Sequence, residues 1–142
     1  MQIKINFDLS VNQYWKDKLT ANALKASVIM SASPFIEAVR THDPFDDCDE
    51  TPTAVALKLS NTDVVEITVG IYSKFFTKAI AYEVEGAVFF NSRKESYGAG
   101  SPGNIAHEVV RALGYVHNGN AASGNEDTVP YYVGNLVDEM AA

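Results

Sequence analysis

Apolar and polar residues alternate at the start of the chain. Ile3, Ile5, Phe7 and Leu9 are interleaved with Gln2, Lys4, Asn6 and Asp8, and a period of two places the apolar set on one face of a strand. The period then lengthens. Trp15, Leu19, Ala23, Ala26 and Met30 recur at helical spacing, with Lys16, Asp17, Lys18 and Lys25 between them, which predicts an amphipathic helix over residues 13–30. Ser33-Pro34 reads as an N-cap followed by an N1 proline, opening a short helix to Thr41. Residues 42–50 are a polar, acidic stretch without the Gly and terminal Glu spacing of a calcium loop, so a solvated loop is expected. Thr51-Pro52 repeats the cap-and-proline signal for a helix to Ser60; a strand is the competing reading.

The second half begins with a β-branched run, Val64, Val65, Ile67, Val69 and Ile71, a strand by composition. Strands over 78–84 and 87–92 flank Glu85-Gly86 and form a hairpin with a tight turn. Residues 96–103 hold three glycines and a proline and must be a loop. Ser101-Pro102 opens a helix to Leu113, with Gly114 as its left-handed C-terminal residue. A polar segment, 118–128, leads to a last helix opened by Pro130 and running to Met140. Strands are grouped and helices flank them, an α+β layout.

Composition narrows the function. The 142 residues make one domain. Eighteen acids against eleven bases leave a net charge of -7, which argues against nucleic acid, whose binding needs clustered Lys and Arg. Lys74-Phe75-Phe76-Thr77-Lys78 pairs bases with aromatics, but so short a segment in an acidic chain reads as a loop entering a strand. Cys48 is the single cysteine, so neither an intrachain disulfide nor a Cys-rich zinc site can form. No apolar run approaches the ~20 residues of a membrane span, and Met1–Ile5 lacks the order of a signal peptide. The expectation is a soluble protein, cytoplasmic when made.

The chemistry concentrates at His107-Glu108-Val109-Val110-Arg111-Ala112-Leu113-Gly114-Tyr115-Val116-His117. As a pattern this is H-E-x-x-R-x-x-G-x-x-H, one position away from the zinc-protease pattern H-E-x-x-H-x-x-G-x-x-H. Residues i and i+4 share a helix face, so histidines there can bind one metal. The Glu next to the first His can take a proton from metal-bound water. The Gly turns the chain back with φ > 0, and the last His returns to the same point. Under average composition the four matching residues would occur at this spacing with odds on the order of 10⁻⁴. His107 and His117 are therefore candidate metal ligands, Glu108 a candidate base, and Arg111 a lost ligand.

The segment resembles the small metzincin-type zinc metallopeptidases of bacterial and bacteriophage genomes. The resemblance extends to Ala81-Tyr82 with the strand ending Phe89-Phe90-Asn91, and to Val129-Pro130-Tyr131-Tyr132-Val133-Gly134-Asn135, similar to a segment that family often writes S-V-P-Y-x-x-G. It covers most of the chain and is specific from Ala81 onward. It implies a reduced metzincin-like (zincin) domain, with a small twisted mixed sheet and the active-type helix 102–113 beneath it. It implies protein or peptide as substrate or partner. The Met-turn methionine of larger metzincins is absent, and the Val-Pro-Tyr segment takes that place. Tyr131 is a candidate oxyanion stabiliser or supplementary ligand, or a ring packed under the helix.

Arg111 changes the expectation. A guanidinium has no lone pair for a metal and brings positive charge to a cation site. Arg111 lies three residues after Glu108, so an ion pair between them is expected. Two readings follow. In the first, the chain is a non-catalytic descendant of a zinc peptidase, used for binding or as a structural component, with a bacteriophage particle fitting the family's distribution and zinc absent or weakly held. In the second, it is a working zinc peptidase whose third ligand comes from His42, Cys48, Tyr131, Glu126 or Asp127.

Overall fold

The structure is a computed structural model of the chain; it describes residues 1–119 and 123–142. Residues 120–122, inside the polar segment 118–128, lie outside the described residues. Strand β1 is Gln2–Phe7, followed by helices α1 (Gln13–Met30), α2 (Ser33–Arg40) and α3 (Pro52–Asn61). Strands β2 (Val64–Tyr72), β3 (Ala81–Val84) and β4 (Ala87–Asn91) come next, and then α4 (Pro102–Ala112) and α5 (Val129–Ala141). The four strands form one mixed sheet in the order β1-β2-β4-β3. β1 and β4 run parallel to β2, and β3 is antiparallel at the edge. This is an α+β arrangement, as expected.

The hydrophobic pattern sets which face is covered. Val65, Ile67 and Val69 of β2 and Val88 and Phe90 of β4 are buried, whereas Val64, Glu66 and Thr68 face solvent. On the covered face lie α1, through Trp15, Leu19, Ala23, Ala26 and Met30, and α4, through Ile105, Ala106, Val109 and Val110. α5 packs along α4. The crossing is close because it is made of glycines. A Cβ on Gly103 would lie 2.2 Å from the Gly134 carbonyl oxygen, and one on Gly134 would lie 3.3 Å from the His107 Cβ. The contact therefore brings the start of α5 directly onto the His107 face of α4.

Most boundaries agree with the periodicity, and α3 is a helix, so the strand alternative there falls. The differences are local. β1 ends at Phe7, leaving Leu9 in solvent. Ser33 lies inside α2, whose N-cap is Ala32 without a side-chain hydrogen bond, so the serine does not cap it. Strand β3 starts at Ala81, because residues 73–80 form a projecting loop instead of pairing. Part of the glycine-rich stretch is ordered: Ser92–Tyr97 makes 3-10 turns that end on Gly98, with φ 97°. Between β3 and β4, Glu85 and Gly86 both have positive φ, 49° and 82°, the backbone of a two-residue type I′ turn. Among the described residues no helix is long and apolar enough to cross a membrane.

Candidate functional site

The site is built on α4 and on the return of the chain after it. Ser101 caps α4 by accepting from the Asn104 N–H. Asp138 of α5 adds a carboxylate at the same helix end, accepting from the Gly103 N–H at 2.7 Å and the Ser101 hydroxyl at 3.0 Å, where the helix dipole favours negative charge. At the other end the Gly114 N–H donates to the Arg111 carbonyl and the Tyr115 N–H to the Val110 carbonyl. This pair of bonds is a Schellman motif, and Gly114 provides the left-handed residue it needs, with φ 102°. The chain thus doubles back, and Tyr115 is buried against the core.

The reversal returns His117 to His107. Their Nε2 atoms are 3.3 Å apart. Tyr131, near the start of α5, packs its ring edge-on against both imidazoles, with centroids at 4.7 Å and 4.8 Å. The Pro130 carbonyl is an acceptor for His107. With that ring proton so placed, His107 Nε2 turns a lone pair toward His117 Nε2. His117 Nδ1 is buried without a hydrogen-bond partner among the described residues, and the nearby Gly119 backbone favours the protonated ring. Burial pushes the His107 pKa down to about 3, helped by His117 and Arg111 and opposed by the Pro130 carbonyl. Burial also lowers His117 and raises the Tyr131 phenol. The imidazole pair is therefore neutral at ordinary pH.

Arg111 occupies the next turn of the same helix face. Its Nη1 lies 2.6 Å from Glu83 Oε2 on the edge strand β3 and 4.0 Å from Glu108 Oε2. The expected Glu108 pairing is thus at the limit of an ion pair, and the main partner is Glu83. No sequence signal marked Glu83, because it is an exposed position on a short strand, brought to α4 only by the sheet. Glu108 is nearly buried, with 12% of its side chain exposed. Burial raises its carboxyl to about 7, with Arg111 opposing and Glu83 adding to the rise. A groove of about 250 Å³ runs past these groups, between the end of α4 and strands β2, β4 and β3. Glu83, Glu108 and Arg111 supply its charge, and Ile67, Val88 and Tyr115 its apolar wall; the Glu66 carboxylate lies on the solvent face of the sheet against Lys4 and Asn6. The histidines stand beside the groove and do not line it.

The donor set can be tested against zinc. Two nitrogens bound to one tetrahedral zinc are about 3.3 Å apart, so the imidazole pair has the spacing of two ligands. A catalytic site needs a third ligand and an open position for water. The third place belongs to a guanidinium. His42 stacks on Phe45, packs at a tilt against Tyr132 and lies 3.4 Å from Asp127. Cys48 donates to the Glu50 carbonyl, and Glu126 and Asp127 are exposed. Among the described residues no three His, Cys, Asp or Glu side chains form a group able to hold a metal. Of the alternative ligands, only Tyr131 is brought to the pair. The residues do not fit a catalytic zinc. In comparisons with known proteins, the chain matches no family model, no curated protein and no solved structure.

Proposed function

We propose that this chain is a metzincin-like domain in which a guanidinium has replaced the catalytic metal. It acts by binding a protein or peptide segment, or as a structural component of a larger particle; the resemblance points to a bacteriophage particle. Arg111 carries the reading. It occupies the second-ligand position of the pattern and cannot coordinate a cation. Its ion pair with Glu83 ties the helix to the edge strand at 2.6 Å.

One observation favours the other reading, a zinc-dependent peptidase with a non-standard third ligand: the 3.3 Å spacing of the imidazole nitrogens. Zinc binding distinguishes the two. In the parent protein, zinc should leave the melting temperature unchanged, and dialysed protein should retain no stoichiometric metal. Arg111→His places a third imidazole on the same helix face, with no backbone change required. At a hundredfold excess over its dissociation constant, zinc should stabilise that variant by about 2.7 kcal/mol. An equal zinc response in the parent would show that it has its own third ligand, and the first reading would fall.

A further inference from the structure

Residues 73–80, between β2 and β3, form a projection tipped by two phenyl rings. Phe76 is fully exposed and Phe75 is 64% exposed. The ring centroids are 6.4 Å apart and the planes are tilted by 49°, so the rings splay outward and do not cover each other. The projection is fixed at its base. Asn91, which is fully buried, accepts from the Lys74 N–H at 3.1 Å and donates to the carbonyls of Lys74 at 2.9 Å and Ala79 at 3.3 Å. Arg93 donates to the Ser73 hydroxyl at 2.8 Å and holds its guanidinium 3.9 Å from the Phe75 ring centroid. Folding therefore keeps an apolar tip in water, and exposed apolar surface of this kind marks an interaction site.

The charge around the tip is positive and free. Residues 67–82 contain no acid. Glu66 and Glu83, which bound this stretch, are held by Lys4 and Arg111, and Glu95, near Arg93, is held by Lys18. Lys74, Lys78 and Arg93 have no ion pair among the described residues, whereas Lys4, Lys18, Arg40, Lys58 and Arg111 each have one. At the base of the projection, on the open face of the sheet, Tyr72 and Tyr82 meet edge to face at 4.7 Å. The Tyr72 hydroxyl donates to the Ala79 carbonyl at 3.5 Å. From the tip inward the order is phenyl rings, cations, tyrosines. An anionic bilayer offers the matching layers: acyl chains, negatively charged headgroups, and a boundary with water where tyrosine is enriched.

We propose that the Lys74–Lys78 projection docks on an anionic lipid surface. Phe75 and Phe76 enter the boundary between headgroups and acyl chains, and Lys74, Lys78 and Arg93 lie against the lipid anions. An acidic protein is the other candidate for a cationic tip. It would need a pocket shaped for two splayed rings, whereas a bilayer deforms around a convex tip and takes both. The net charge of -7 does not bar the approach, because the densest run of acids, residues 42–50, lies away from the tip. There Glu50 accepts from the Tyr115 hydroxyl at 2.5 Å, and Tyr115 lines the groove beside Glu66, Ile67 and Thr68 of β2. The projection leaves β2 at Tyr72, four residues or more further along, a distance of at least ~13 Å. The Debye length is about 10 Å at 0.1 M salt, so those acids are screened at the tip. The proposal stands whether or not zinc binds at the imidazole pair.

Co-sedimentation of the full chain with phosphatidylcholine vesicles, with and without about one third phosphatidylserine, tests it. A basic residue near an anionic surface is worth about fivefold in affinity, so three should favour the phosphatidylserine vesicles by about a hundredfold. Raising the salt from about 0.1 M to about 0.5 M should remove most of that preference. Lys74→Gln with Lys78→Gln should weaken binding about twenty-five-fold by the same measure. Phe76→Ser should weaken it by about tenfold or more through lost apolar burial. Lys25→Gln, at an exposed position on α1, should bind like the parent. All these positions are exposed, and circular dichroism melts matching the parent would show that the variants fold. A parent that does not sediment with phosphatidylserine vesicles would overturn the proposal. So would sedimentation that survives the lysine and phenylalanine changes, which would assign the lipid contact to another surface. Binding of polyglutamate in place of vesicles would also overturn it and assign the tip to an acidic protein.

Discussion

Replacing Glu108 by Gln should make the protein more stable above neutral pH and change it little in acid. Burial raises the folded-state pKa of this carboxyl from 4.5 to about 7. The native state therefore holds a proton that the unfolded chain releases. A raised carboxyl pKa contributes stability that is fully present below the unfolded value and is lost as pH rises through the folded value. At 1.36 kcal/mol per pH unit the span amounts to about 3 kcal/mol, lost by the parent between pH 4.5 and pH 7. Gln is uncharged and has nearly the shape of the protonated acid, so the variant has no such loss. Arg111 keeps its nearer partner, Glu83, in both proteins.

His107 works in the opposite direction. Its folded pKa is depressed from 6.5 to about 3, so its contribution is full above 6.5 and is lost as pH falls toward 3. Between pH 4.5 and 6.5 the two slopes offset each other, and the parent is flat in that window as far as this site is concerned. His107 is common to both proteins and cancels in their difference. Urea unfolding of parent and Glu108→Gln, at steps from pH 4 to about 8, should show near-equal stability at the acid end. The variant's advantage should grow through the window to about 3 kcal/mol. Parallel curves would refute the burial argument for Glu108. An advantage growing toward acid would mean that the carboxylate is held ionised by Arg111.

Gly103→Ala should force α4 and α5 apart, because the new Cβ meets the Gly134 carbonyl and the Asp138 carboxyl; a loss of about 2–3 kcal/mol in urea unfolding with an unchanged slope is expected. Asn91→Ala should strip the hydrogen-bond partners from Lys74 and Ala79, costing about 2 kcal/mol. Hydrogen exchange in Asn91→Ala should speed up at residues 74–79 while α4 amides stay protected to the reduced global stability.

The chain by itself determined the elements, because the signals for them are local. Helix α1 follows from the spacing of Trp15, Leu19, Ala23, Ala26 and Met30, and the end of α4 from Gly114, the residue that takes φ > 0 at least cost. The return of His117 to His107 was legible for the same reason, since less than two turns of helix and one Schellman motif span the whole distance. The tertiary structure decided what those groups meet. Glu83 reaches Arg111 because β3 lies at the sheet edge beside α4, a pairing with no trace in the neighbours of either residue. Asn91 reads as the polar end of a strand, yet it is fully buried because the 73–80 loop folds over it and supplies its partners. Asp138 sits near the chain end and caps a helix that starts at Pro102, because two glycines let α4 and α5 touch. Ionisation belongs to the same class. The raised Glu108 and the depressed His107 come from burial by segments far away in sequence, and burial is a property of the packed fold.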